Sequence, residues 1–133
     1  MRVVFDTNVW ISTTFWRESV PAQATQLARR RDNILMTFET LDEMGVVLKR
    51  PRFDRYLDLA DRLDFLAKLS KDVIMIGTFE PIRACRDPKD DKFLEAAVWG
   101  NADCIITGDE DLLILHPFRG IRICTPADFL LDA

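Results

Sequence analysis

Short apolar runs recur along the chain, and longer, more polar segments with helical spacing separate them. The apolar runs are rich in β-branched residues and predict strands over residues 2–5, 33–37, 73–76, 104–107 and 121–123. The segments between them predict helices over residues 21–31, 39–50, 53–70 and 90–99, one more beginning near Val9, a short helical turn from Gly108 and a last helix from Pro126. This alternation predicts an α/β fold with a central parallel sheet.

The longest predicted helix depends on apolar residues that recur at helical spacing. They are Phe53, Leu57, Ala60, Leu63, Leu66 and Leu69. Pro51 is expected to end the helix before it, because the residue preceding a proline disfavours helical geometry. Inside that earlier helix Gly45 costs about 1 kcal/mol relative to alanine.

Length and composition favour one globular domain over residues 1–133. The chain has 133 residues, of which 48% are hydrophobic, and this is enough to build a core. No apolar stretch approaches the ~20 residues that a membrane span needs. The three cysteines, Cys85, Cys104 and Cys124, lack zinc-type spacing and are odd in number, so a reducing cytoplasm is the expected location.

The net charge of −4 is unusual for a protein that binds nucleic acid, because such proteins are commonly basic. The chain has 18 basic and 22 acidic residues, so the rest would balance if four acids held metal ions. Basic residues cluster at Lys49, Arg50 and Arg52. We hypothesise that this cluster guides RNA phosphates, and the alternative is a solvated helix end.

Four acids fall near the predicted carboxyl ends of strands. Asp6 follows the first strand, and Asp109 lies two residues beyond Thr107 at the end of the fourth. Glu43 lies in the helix after the second strand, and Asp91 lies in the first turn of the helix that leads to the fourth. Parallel strands end at a common edge of the sheet, where ligands bind, so we expect these acids to converge there.

Converging acids predict a site for a hard divalent cation. Like charges that lie close together must either take up protons or bind cations. Oxygen ligands without histidine or cysteine select Mg²⁺ or Mn²⁺, and such a site suits phosphodiester hydrolysis without a side-chain base. Asn8 and Thr107 are expected to support the acids. The single histidine, His116, is expected to be structural.

Each acid also has an ordinary structural explanation. Asp6 could cap the helix that follows it, and Glu43 could form a capping box with Thr40. Asp109 could be a turn residue after Gly108. The aromatic residues near Asp6, which are Trp10, Phe15 and Trp16, could stack on bases, but core packing or a dimer contact is the preferred explanation.

Four segments carry these acids in a recognisable order. They are Asp6-Thr7-Asn8, Glu43 in a helix that ends Leu48-Lys49-Arg50-Pro51, the run from Asp87-Pro88-Lys89-Asp90-Asp91 to Ala97, and Thr107-Gly108-Asp109-Glu110-Asp111-Leu112-Leu113. Their combination resembles the PIN-domain family over essentially the whole chain, and in particular the bacterial branch of toxin components from toxin–antitoxin systems (VapC-like proteins).

The resemblance implies a three-layer α/β/α sandwich and Mg²⁺- or Mn²⁺-dependent cleavage of single-stranded RNA. It also implies a homodimer and a cognate antitoxin. By motif position, Asp6, Glu43, Asp91 and Asp109 correspond to the four acids of the family, and Asp111 to a further acid of this branch. A spacing of 16 residues to Thr107 favours Asp91 over Asp90, and a contact of Asp90 with metal stays open.

Two other functions share features with this sequence. A haloacid-dehalogenase-like phosphatase would need an acid where Asn8 stands and another where Leu113 stands, so the sequence disfavours it. The second rival is a non-catalytic nucleic-acid- or protein-binding module of the same fold, in which the acids act only as caps.

Overall fold

The computed structural model describes residues 1–132 and contains a five-stranded sheet. Its strands are β1 (Arg2–Phe5), β2 (Asn33–Met36), β3 (Ile74–Met75), β4 (Cys104–Ile106) and β5 (Arg122–Cys124). The α-helices are α1 (Thr7–Phe15), α2 (Val20–Arg31), α3 (Phe38–Leu48), α4 (Leu59–Asp72), α5 (Asp91–Trp99), α6 (Glu110–Leu113) and α7 (Pro126–Leu131). Two 3₁₀ turns, Pro51–Phe53 and Pro88–Asp90, precede α4 and α5.

The strands are parallel and lie in the order β3-β2-β1-β4-β5. In the register of the sheet, Val3 pairs with Ile34 on one side and with Cys104 on the other. The chain therefore builds outward from β1 in one direction and then returns to build outward in the other. The crevice between β1 and β4 is the switch point of such a sheet, where α/β proteins commonly bind ligands.

Apolar residues form a core on each face of the sheet. One core joins β1 to α1, α2, α3, α4 and α7, through residues that include Phe5, Trp10, Met44, Leu69 and Phe129. The other joins β1 and β4 to α5 and α6, through residues that include Val4, Phe93, Ile105 and Leu112. Adjacent residues of one strand point to opposite faces, and so both cores include residues of β1. The predicted α/β/α sandwich is confirmed.

The predicted helix over residues 53–70 is wrong in its first part. The chain instead forms a 3₁₀ turn over Pro51–Phe53, and α4 begins at Leu59. The cause is Arg62, whose fully buried guanidinium donates hydrogen bonds to the carbonyl oxygens of Leu48, at 2.7 Å, and Arg50, at 3.3 Å. These bonds satisfy carbonyl groups at the end of α3, which a helix terminus otherwise leaves without partners.

One predicted helix start and one alternative capping assignment also need correction. The helix predicted from residue 90 begins at Asp91, because the tighter 3₁₀ turn of Pro88–Asp90 comes before it. The capping box of α3 is formed by Thr37 and Thr40, whose side chains each accept a hydrogen bond from the backbone N–H of the other. Glu43 is consequently not the capping residue that the alternative explanation required.

Within residues 1–132, no helix is both long enough and apolar enough to cross a membrane.

Two glycines test the packing. A Cβ atom at Gly100 would lie 2.6 Å from the carbonyl oxygen of Ala96 and 2.7 Å from Cδ1 of Leu35, whereas one at Gly45 would make an ordinary 3.5 Å contact with Leu66. Gly100→Ala should therefore lower the free energy of unfolding by about 1–3 kcal/mol through overpacking. Gly45→Ala should raise it by about 0.5–1 kcal/mol through helix propensity. Urea unfolding measures both, and an equally stable Gly100→Ala variant would contradict the packing of α5 on β2.

Candidate metal centre

Asp6 lies where β1 ends and α1 begins. Its backbone N–H donates to the carbonyl oxygen of Ile106 on β4, which keeps the residue at the edge of the sheet. Its side chain is only 4% exposed and caps α1, with Oδ1 accepting a hydrogen bond from the backbone N–H of Asn8 at 3.0 Å. Capping explains the local conformation, and it uses only Oδ1, so that Oδ2 can accept a hydrogen bond from another part of the chain.

Thr107 connects Asp6 to the loop after β4. The buried Thr107 hydroxyl donates to Oδ2 of Asp6 at 2.7 Å and accepts from the backbone N–H of Asp109 at 2.9 Å. Asp109 in turn accepts a hydrogen bond from the backbone N–H of Asp111 at 2.9 Å. One hydroxyl therefore contacts both the Asp6 carboxylate and the Asp109 loop.

Glu43 approaches the same region from α3. Its Oε2 accepts a hydrogen bond from the hydroxyl of Thr7, the first residue of α1. Its Oε1 accepts one from Nζ of Lys92 at 2.9 Å, and both side chains of this ion pair are largely shielded from solvent. Through these two contacts Glu43 on α3 reaches α1, which follows Asp6, and α5, which begins at Asp91.

Three carboxylates lie close enough together to share an ion. One oxygen from each of Asp90, Asp109 and Asp111 can be chosen so that all three lie within 4.8 Å of one another. Asp90 ends the 3₁₀ turn before α5, and the other two acids belong to the loop and first turn of α6. Arg86 is the cation at this group, 3.7 Å from Asp111, and its side chain is largely exposed.

Asp91 contacts the loop that precedes α5. It is buried, and its Oδ1 accepts hydrogen bonds from the backbone N–H groups of Ala84, at 3.1 Å, and Cys85, at 2.7 Å. These bonds tie the loop before α5 to the start of the helix. The structure thus brings together Asp6, Glu43, Asp90 and the Asp109 loop, and places Oδ1 of Asp91 against residues 84–85.

The electrostatics of the group favour a cation. Burial raises the pKa of Asp6, and the charges of Asp109 and Glu43 add to this, against hydrogen bonds from Thr107 and Asn8 that lower it. Burial, a hydrogen bond with Asp109 and repulsion by Asp109 and Asp6 raise the pKa of Asp90 to about 7. A divalent ion among these carboxylates would oppose this rise in pKa, because its charge favours their ionised forms.

The donor set suits Mg²⁺ or Mn²⁺. All candidate ligands are carboxylate oxygens, and the three cysteines are free thiols, of which Cys104 and Cys124 are buried in the cores. Hard divalent cations prefer such oxygens. Within residues 1–132, Lys92 and Arg86 are the cations that form ion pairs with these carboxylates, fewer than the acids that converge.

The remaining predicted residues lie on other parts of the fold, and only Asn8 directly contacts a member of this group, Asp6. Asn8 and Arg52 line one cleft beside the first turn of α1. Lys49 and Arg50 are exposed at the end of α3, and the carbonyl of Arg50 accepts a bond from Arg62. His116 accepts a hydrogen bond at Nδ1 from the backbone N–H of Ile123, which agrees with a structural role.

Two residues of the site were not predicted from the sequence: Thr7 binds Glu43, and Lys92 pairs with Glu43. Asp90, whose role the sequence left open, lies in the carboxylate group with Asp109 and Asp111. Lys92 carried a usable signal, because a cation in the first turn of a helix is disfavoured by the helix dipole and so suggests a local anionic partner. No comparable signal marks Thr7, whose position is that of an ordinary first helical residue.

Comparison with known proteins gives a consistent family. The sequence model of the PIN domain matches residues 2–111. The uncharacterized protein MJ1680 of Methanocaldococcus jannaschii is 32% identical to the chain over 140 residues, which cover 98% of this chain and 90% of that protein.

Solved structures share the fold at low sequence identity. VapBC2 from Rickettsia felis, bound to a DNA fragment from its promoter, has a TM-score of 0.64 at 11% identity, covering 94% of this chain and 98% of that one. PAE2754 from Pyrobaculum aerophilum has a TM-score of 0.62 at 14% identity, and the match covers 98% of this chain and 87% of that one. VapBC-1 from nontypeable Haemophilus influenzae has a TM-score of 0.61 at 15% identity, and the match covers 96% of this chain and 99% of that one.

The raised pKa of Asp90 predicts that the stability of the chain depends on pH. Because Asp90 binds a proton more tightly in the folded than in the unfolded chain, its contribution to the free energy of unfolding is complete below about pH 4 and is lost as the pH rises through about 7. In EDTA, the Tm should therefore fall between about pH 5 and about pH 8 by more in the parent chain than in Asp90→Asn. Asp61→Asn, an exposed acid on α4, should keep the parental slope. If the Tm fell equally with pH in the parent chain and in Asp90→Asn, the raised pKa of Asp90 would be refuted.

Proposed function

The chain belongs to the PIN-domain family, a family of nucleases, and on this premise we propose that it is a Mg²⁺- or Mn²⁺-dependent ribonuclease acting on single-stranded RNA. The observation that carries the proposal is the crowding of Asp90, Asp109 and Asp111 within 4.8 Å beside the buried Asp6. Such a group lies at the switch point of the sheet, where an extended polyanion can reach it.

The proposed ligands are Asp6, Glu43, Asp109 and Asp111, with Asp90 as a further member. Asp91 stays a predicted ligand on sequence spacing, whereas its two backbone hydrogen bonds support a positioning role for the loop before α5. A bound divalent ion supplies Lewis acidity toward phosphate oxygens and water, which is what hydrolysis of a P–O bond requires.

Residues of this chain prepare the site for that chemistry. Thr107 and the backbone N–H of Asn8 hold the two oxygens of Asp6 in fixed directions. Thr7 and Lys92 do the same for Glu43, and Lys92 also offsets part of the negative charge that would otherwise repel an RNA phosphate. Fixed donors and acceptors of this kind lower the reorganisation needed when substrate binds.

Substrate and partners complete the proposal. Lys49, Arg50 and Arg52 are exposed beyond the end of α3 and are proposed to bind RNA phosphates. The fold shared with VapBC2 and VapBC-1 supports a cognate antitoxin as a partner, and with it the role of a toxin component. A homodimer, a cytoplasmic location and one nuclease domain over residues 1–133 belong to the same proposal.

The direct test is cleavage of end-labelled single-stranded RNA. The parent chain should cleave in Mg²⁺ or Mn²⁺ and be inactive in EDTA. Asp6→Asn should lose activity at least roughly 100-fold, because changes to outer-shell partners of metal ligands alone cost roughly 10- to 100-fold. Asp61→Asn serves as the matched control and should cleave normally.

The outcomes separate the nuclease from a binding module. Cleavage that persists in EDTA and in Asp6→Asn would point to another site. A chain without activity, which gains stability from Asp6→Asn and none from Mg²⁺, would instead be a non-catalytic module whose acids only repel one another.

A second test distinguishes Asp90 from Asp91. Asp91→Ala should lower the free energy of unfolding without metal by about 1–3 kcal/mol, because two backbone N–H groups lose their acceptor. It should keep most of the increase in Tm that Mn²⁺ produces. Asp90→Ala should keep its metal-free stability and lose most of that increase. The reverse pattern would establish Asp91 as the ligand and remove Asp90 from the set.

A further inference from the structure

A cleft of about 500 Å³ opens beside the start of α1. This volume lies within the range of about 300–1,000 Å³ that is typical of small-ligand sites. One wall is a face of α1, and the other is the 3₁₀ turn and the residues after it. We call it the aromatic cleft, and its lining residues are Asn8, Ile11, Ser12, Trp16, Arg52, Phe53, Arg55 and Tyr56.

Two aromatic rings form the rim of the aromatic cleft. Trp16 is 50% exposed and Tyr56 is 54% exposed, and their ring centroids lie 6.0 Å apart at an angle of 60°. Beneath them Phe15 and Phe53 stack at 4.5 Å, so the rim rests on a packed base. Large aromatic rings left half in solvent on a rigid base are a common mark of a binding surface.

Two arginines add positive charge to the same cleft. Cζ of Arg52 lies 4.8 Å from the ring centroid of Phe53, and Cζ of Arg55 lies 5.4 Å from that of Tyr56. Within residues 1–132, neither guanidinium forms an ion pair with a carboxylate. Flat guanidinium groups held over rings can bind a phosphate or stack on a base. This charge favours a polyanion over an apolar peptide as the occupant.

The aromatic cleft adjoins the candidate metal centre. Asn8 lines the cleft, and its backbone N–H donates to Oδ1 of Asp6. The cleft then follows α1 from Asn8 to Trp16, a rise of about 12 Å at 1.5 Å per residue. A strand whose phosphate lies at Asp6 therefore has its neighbouring nucleotide within reach of Trp16 and Tyr56.

We propose that the aromatic cleft is a subsite for an unpaired base of single-stranded RNA next to the phosphate held at Asp6, an inference that rests on the proposed function. Trp16 and Tyr56 stack on the base, and Arg52 and Arg55 bind the adjoining phosphate. Only an unpaired base can enter such a cleft, because in a duplex the base faces are already stacked on their neighbours. The subsite would thus select single strands by shape and stacking, without reading a particular base.

The experiment measures binding separately from cleavage. Trp16→Ala and Tyr56→Ala are made in the full chain carrying Asp6→Asn, and their Kd values for a fluorescent single-stranded RNA are compared with those for an oligomer of the same backbone without bases. Each alanine variant should bind the base-bearing RNA roughly 5- to 150-fold more weakly. Both should bind the abasic oligomer as well as the parent does. Trp16→Phe and Tyr56→Phe should recover most of the affinity, since they keep a ring.

Controls and outcomes are separable. Phe79→Ala removes another exposed ring, 80% exposed and outside the cleft, and should leave both affinities unchanged. Unchanged affinity in Trp16→Ala and Tyr56→Ala would overturn the subsite and leave the cleft to a segment of a protein partner. Equal losses on both oligomers would also overturn it. If the parent chain fails to cleave RNA in any metal while base-dependent binding needs both rings, the nuclease proposal fails and the subsite stands.

Discussion

Repulsion among carboxylates at the ends of β1 and β4 is the constraint around which the other features of the site are arranged. The fold meets it with three devices. A threonine hydroxyl binds Asp6, a lysine pairs with Glu43, and the raised pKa of Asp90 favours protonation of that carboxyl group. Each device reduces the repulsion without removing it. The residual negative charge, concentrated and partly shielded from water, is the property that a divalent cation recognises.

The sheet could be predicted from sequence, because its strands are short apolar runs separated by helical patterns, and all of them except the edge strand β3 are largely buried. The segment before α4 could not. Phe53 and Leu57 match the helical period of α4 by spacing alone, yet Phe53 stacks on Phe15 across the fold. The deciding contact is the buried guanidinium of Arg62 on the carbonyl groups of residues 48 and 50, a tertiary interaction that no local pattern encodes.

The candidate site likewise contains some residues whose positions could be predicted from the sequence and others whose positions could not. Asp6 and Asp109 could be predicted as neighbours, since Asp6 directly follows β1, Asp109 lies three residues beyond the end of β4, and those strands are adjacent in the sheet. The choice between Asp90 and Asp91 depends on a 3₁₀ turn, whose tighter winding changes which carboxylate faces the other acids. The position of the Lys92 side chain depends on its ion pair with Glu43, which lies on a different helix. The topology of the fold could therefore be predicted from the sequence, whereas the directions of side chains in the site depend on turns and long-range contacts.

In the segment that joins α3 to α4, the buried Arg62 of α4 holds the backbone, while residues of the segment present their side chains to solvent. The Arg62 guanidinium donates to backbone carbonyl groups, which every residue type possesses, and it pairs with the exposed carboxylate of Asp54. Within this segment the anchor therefore uses the side chain of Asp54 but none of the cleft-lining side chains. Arg52, Arg55 and Tyr56 are exposed on the outer side of the segment. Exchange of these three residues can alter what the surface prefers while the path of the backbone is retained. The architecture thus combines a fixed chemical centre with an interchangeable approach to it.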